Sequence, residues 1–149
     1  SSQFQKSMKI LNSINNNQIS ETTLRARFTG ISKLSTDWVY SLPIIFAGAK
    51  WRSFVYKDGD HLAFLLNGEK PEEDEWSCSA FAEHQLISHK SQEIIFRKGG
   101  GQKADVYTND SNWGYQKFYA FDDLFDEEKG YVKDDAIIVA VVIKAFPSN

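Results

Sequence analysis

The chain has 149 residues, of which 42% are hydrophobic and 14% aromatic, and its formal net charge is −3. That length fits one domain with a substantial core, and a second folded domain is not expected. A pI near 5.6 leaves no basic field of the kind that nucleic acid or an anionic membrane selects, so neither is expected as a partner.

No apolar run approaches the roughly 20 residues of a membrane helix, and the amino terminus lacks the charged-then-apolar pattern of a secretory signal. Cys78 is the only cysteine. It has no partner for an internal disulfide, which suits a reducing compartment, and the expected location is cytoplasmic or nuclear.

Residues 1–20 are rich in Ser, Asn and Gln. Met8, Leu11 and Ile14 make a weak helical stripe that Asn15-Asn16-Asn17 would end. The segment reads as a flexible amino-terminal arm, with the domain proper at 21–149. A coiled coil needs several heptads and the arm holds about one, so the isolated domain is expected to be a monomer.

From Leu24 the pattern turns to period two, with Leu24, Ala26 and Phe28 alternating against Arg25, Arg27 and Thr29, the mark of a half-buried strand. Gly30 breaks the phase, and Leu42-Pro43 favours an extended chain before an edge-like strand at 44–46. Residues 50–56 form a strand rich in aromatic and β-branched residues. The Asp58-Gly59 signal marks a tight hairpin, with its partner strand at 62–66 and Asn67-Gly68 as its end.

Residues 76–87 are the longest alternating segment. Trp76, Cys78, Ala80 and Ala82 share one face, whose small residues would let another sheet or a bound chain approach closely. Residues 94–96 and 106–107 flank Gly99-Gly100-Gly101. Residues 121–125 fit one helical turn with acids near its positive end. Residues 137–143, almost all β-branched or alanine, read as a central strand. Short strands with almost no helix give an all-β sandwich.

The least ordinary stretch is Asn112-Trp113-Gly114-Tyr115-Gln116-Lys117-Phe118. Its three aromatics sit among polar residues, so some of them face outward. It reads as a short strand at a sheet edge, where Trp113 and Tyr115 help form a groove for an extended peptide. Of the two, Tyr115 is the better surface candidate because its hydroxyl tolerates water, whereas Trp51 and Trp76 belong to the core.

Other chemistry finds little support. The acids between Asp122 and Asp135 lack the spaced pattern of a calcium loop. Cys78 and His84 on one strand would stand about 20 Å apart, too far for a shared zinc. There is no Gly-x-Ser-x-Gly elbow, and the triple glycine lacks the Lys-Ser/Thr of a phosphate loop. Cys78 lies inside a strand and reads as a buried thiol. No catalytic residue, metal or cofactor is expected.

Trp51, residues 62–66, 76–82 and 112–118, and Gly130-Tyr131 followed by Asp134-Asp135 resemble, in order and spacing, the signatures of a MATH domain, also called TRAF-C. The resemblance runs from about Leu24 to Phe146. It is strongest toward the branch attached to ubiquitin-specific proteases, through Trp76-Ser77-Cys78, Trp113-Gly114-Tyr115 and Glu128-Lys129-Gly130-Tyr131. It implies an eight-stranded antiparallel sandwich with at most one short helical turn. The implied role is to bind linear peptides of other proteins, of a Pro/Ala-x-x-Ser type, by β-augmentation.

On that basis the expected peptide-binding residues are Asn112, Trp113, Gly114, Tyr115, Gln116, Leu65 and Ala80. Two departures bear on the motif. Asn112 stands where the family usually has an aspartate that accepts a bond from the peptide serine, and Ala47 falls where the protease branch has an arginine. Recruitment to a deubiquitinating enzyme is the leading expectation. A cullin ubiquitin-ligase adaptor with a BTB domain keeps the same fold, and a carbohydrate-binding sandwich that stacks sugars on Trp113 and Tyr115 is the reading from another class.

Overall fold

The computed structural model describes residues 19–101 and 103–147; most of the arm expected at 1–20 lies outside them. The segments read as strands all fall on strands of the structure: β1 (Ser20–Thr29), β2 (Val39–Tyr40), β3 (Ile44–Phe46), β4 (Ala49–Asp58), β5 (His61–Glu69), β6 (Ser77–Ile87), β7 (Ile95–Gly99), β8 (Asp105–Thr108), β9 (Trp113–Ala120) and β10 (Ala136–Ala145). They form two five-stranded antiparallel sheets. One runs β1-β10-β6-β7, with β8 also on β6; the other runs β2-β4-β5-β9, with β3 also on β4.

The all-β sandwich is as expected, with ten strands among the described residues rather than eight. The extra pieces come from divided edges. Val39-Tyr40 pair with Phe54 and Val55, and Ile44–Phe46 pair with Ala49–Trp51; Pro43 between them has no N–H for a continuous ladder. In the same way β7 and β8 do not pair with each other as a hairpin. Each takes its own stretch of β6. The helical turn expected at 121–125 is present as the 3-10 turn Asp122–Phe125, and a second 3-10 turn, Ile31–Lys33, follows β1.

The core lies between the sheets. Trp51, Phe64, Leu66, Trp76, Tyr107, Phe118, Leu124 and Ile137 are all essentially inaccessible to solvent, and Trp51 packs edge-on against both Trp76 and Tyr107. Burying a side chain of this size contributes about 1.5–3 kcal/mol, and these rings fix the distance between the sheets. Strand β10 lies between β1 and β6, as its branched sequence demands.

Residues Asn67-Gly68 do not end β5, which continues to Glu69. Gly68 is needed there because the Trp51 indole lies across it. A β-carbon at 68 would sit 2.6 Å from Trp51 Cζ3. The packing of a core tryptophan therefore decides the residue on the neighbouring strand.

Candidate functional site

Strand β9 is the last strand of its sheet, paired to β5 on one side only. An edge of this kind presents main-chain N–H and C=O groups that an incoming strand can satisfy. Cross-strand partners share a face, so Trp113 (opposite Leu66) and Tyr115 (opposite Phe64) both turn toward the other sheet. Gly114, opposite Leu65, has an irregular φ of 154° that would carry a β-carbon to 2.9 Å from Nε2 of His84 on β6 of that sheet. After Tyr115 the register slips in a bulge, and Phe118 returns to the core.

The two edges are bridged. The Trp113 indole N–H donates to the Val106 carbonyl at 2.8 Å, reaching β8. Lys98 Nζ on β7 donates to the Lys117 carbonyl at 3.0 Å and lies 5.6 Å from the Tyr115 ring centre. Between these bridges is a cavity of about 250 Å³ lined by Ala82, His84, Asp105, Trp113, Gly114 and Tyr115.

Tyr115 is half-buried, and its hydroxyl occupies the space that a side chain at Gly99 would need. Burial raises its pKa first and the Asp105 carboxylate second. Trp113 is 39% exposed. The order of exposure is therefore the reverse of the expectation that Tyr115 faces solvent more than Trp113. Both rings point into the gap between the sheets, and there Gly99 on β7 admits the Tyr115 hydroxyl, whereas the wider Trp113 ring rests at the edge of β8.

Gly114 and Gln116 are exposed on β9. Gly114 has φ 154°, and a β-carbon there would lie 2.5 Å from the Phe64 carbonyl oxygen and 2.7 Å from Leu65 Cα. Only glycine fits that conformation and that approach. Asn112 just precedes the strand, and its side-chain oxygen accepts from Asn67 Nδ2 at 3.2 Å. Leu65 is half-buried beside Gly114, on the face away from Trp113 and Tyr115.

Ala80 does not belong with this group. It is 1% exposed and lies between β8 and β10 in the middle of the opposite sheet. Its small side chain serves the packing of the two sheets against each other, so the expectation that it meets ligand is withdrawn. Cys78 is buried as expected, its thiol donating to the Phe146 carbonyl at 3.2 Å and its pKa raised by burial. Among the described residues no group of His, Cys, Asp and Glu has the arrangement of a metal site.

Ala82, His84 and Asp105 line the cavity but were not among the expected peptide-binding residues, and His84 was weighed only as a zinc ligand beside Cys78. His84 is 2% exposed, wedged edge-on against Phe64 at 4.8 Å and Tyr115 at 5.5 Å between ring centres. Desolvation lowers its pKa to about 3. Neither ring nitrogen has a hydrogen-bond partner among the described residues. The usable signal was parity, because His84 falls on the same face of β6 as Cys78, Ala80 and Ala82.

The site is therefore an antiparallel sandwich's open edge strand flanked by aromatic rings. The chain belongs to the MATH domain family, whose model matches residues 28–145. It is 31% identical over 128 residues to ubiquitin carboxyl-terminal hydrolase 7 of Drosophila melanogaster, covering 85% of this chain and 11% of that protein. It is 24% identical over 130 residues to ubiquitin C-terminal hydrolase 12 of Arabidopsis thaliana, covering 83% and 12% respectively. The chain thus spans about a tenth of the length of these relatives. MATH domains are non-catalytic interaction folds, and the kinship of this one lies with proteins of the ubiquitin pathway.

Proposed function

We propose that this domain binds short extended peptides of other proteins by adding them as a strand to the free edge of β9, and that it recruits substrates or regulators to a deubiquitinating enzyme. The observation that carries the binding role is the edge itself. Strand β9 ends its sheet, exposes Gly114 and Gln116, and has an aromatic ring on either side of a glycine that leaves the backbone open to close approach. Main-chain bonds supply affinity in such a mode, and the alternating side-chain positions supply selectivity.

The link to ubiquitin removal rests on the hydrolase relatives. The peptide reading is favoured over the glycan reading by Tyr115, which stands edge-on to His84 at an interplanar angle of 89° and is packed into the sandwich rather than laid flat as a stacking platform. A Pro/Ala-x-x-Ser motif is the first to test, with Asn112 as the acceptor for its serine through a neutral rather than charge-assisted bond.

Isothermal titration of the chain with such peptides, their serine-to-alanine versions and a glycan panel tests the proposal. Saturable binding of peptides that sugar does not compete supports it. Glycan binding that peptides leave untouched would replace it with the sugar reading.

A further inference from the structure

A buried imidazole with both nitrogens unpartnered calls for a reason. Desolvating a polar group without compensation costs about 1–3 kcal/mol, and an apolar side chain among Phe64, Tyr115 and Phe118 would avoid that cost. His84 does not lie in sealed core. It lines the cavity between the two sheet edges, and its Nε2 lies 2.9 Å from where a β-carbon of residue 114 would be, so the nitrogen faces the notch that Gly114 keeps open. That notch is on the exposed strand proposed to receive peptide.

We infer that His84 is a specificity-determining residue, and that the cavity beneath Trp113 and Tyr115 takes one hydroxyl-bearing side chain of a bound peptide, which the His84 imidazole hydrogen-bonds. This rests on the reading of β9 as a peptide-binding edge and adds a second side-chain position to it, apart from Asn112, which does not line the cavity. The chemistry of the lining selects the ligand class. The imidazole is neutral at physiological pH, so it offers one N–H donor and one acceptor. Asp105 offers a carboxylate acceptor on the same cavity.

A hydroxyl both donates and accepts, so it accepts from the imidazole N–H while donating to the Asp105 carboxylate. A carboxylate side chain would meet Asp105 with like charge, and an aliphatic one would leave His84 unpaired. The methyl of Ala82 and the ring of Trp113 supply an apolar wall, which suits threonine as well as serine.

Random peptides displayed on phage, panned against the whole chain and against His84→Leu and His84→Phe, test this, with one winning peptide then synthesised with its hydroxyl residue intact and replaced by Ala or Val. The wild type should select Ser or Thr at one position, and removing that hydroxyl should weaken binding about tenfold, the worth of one hydrogen bond to a buried group. The His84 variants should tolerate the replacement with little change, and the imidazole ¹⁵N resonances of wild-type His84 should move only with the hydroxyl peptide. Equal losses in wild type and variants, or winners without a shared hydroxyl position, would overturn the role of His84 and leave the groove standing. Failure of every protein to select any peptide would overturn the groove and the role of His84 together.

Discussion

Trp113 donates its indole N–H to the carbonyl oxygen of Val106 across 2.8 Å, so the edge strand β9 is pinned to β8 of the opposite sheet. The bond fixes a ring that is otherwise 39% exposed. Trp113→Ala should leave a folded domain, destabilised by only about 1–2 kcal/mol through the lost bond and partial burial. Peptide affinity should fall by more than about tenfold, as for an aromatic anchor. Trp113→Phe should lie between, keeping apolar contact without the donor. Thermal melts and fluorescence anisotropy with a labelled peptide check both quantities.

Gly114→Ala tests the backbone rather than a side chain. With φ at 154° and the Phe64 carbonyl oxygen 2.5 Å from the added carbon, strand β9 must move away from β5, at a cost of about 1–3 kcal/mol. Stability and peptide binding should fall together. Gln116→Ala, on the same exposed edge, should change stability by less than about 0.5 kcal/mol and leave main-chain recognition in place. Urea titrations of the two variants separate these outcomes.

The pH dependence of stability follows from His84. Burial lowers its pKa in the folded chain from 6.5 to about 3, while the unfolded chain keeps the ordinary value. Between the two, the unfolded state binds more protons, so the stability from a neutral His84 is fully present above about pH 6.5 and is lost as pH falls toward about 3. Inside that window the slope contributed approaches about 1.4 kcal/mol per pH unit. His84→Leu should be more stable than wild type and should lose less stability between about pH 7 and about pH 5. Parallel losses in urea midpoint for the two proteins would contradict this.

Asn112 accepts from Asn67 Nδ2, and an aspartate can keep that bond while adding charge. Asn112→Asp should therefore preserve the fold and tighten serine-containing peptides about three- to tenfold, since a charge-assisted bond is roughly twice as strong as a neutral one. Calorimetric titration with a serine peptide and its alanine version reads the gain, which only the serine peptide should show.

The sandwich was legible because period two runs through β1 and β6, because β4 is rich in aromatic and β-branched residues, because Asp58-Gly59 marks the turn into β5, and because β10 is almost all β-branched or alanine. The edge position of Asn112, Trp113 and Gly114 was legible from aromatics set among polar residues. Ala80 shows the limit of that reasoning: alternation groups it with Trp76 and Cys78, but only the opposing sheet decides that this face is the dry one. Trp113 and Tyr115 share a face by parity, and their unequal burial depends on Gly99 and Val106, which belong to other strands. The unpartnered state of His84 depends on every neighbour it lacks, and none of these is local in sequence.

The most direct test of the β9 groove is an NMR chemical-shift titration of the ¹⁵N-labelled chain with a small library of Pro/Ala-x-x-Ser peptides and the binders selected by display. A peptide added along β9 should shift the amides of Trp113, Gly114, Tyr115 and Gln116 and protect them from solvent exchange, with Val106 and the Trp113 indole N–H following across the gap. Binding peptides that instead shift the amides of β2, at the opposite end of the same sheet, while these β9 amides stay still, would contradict it.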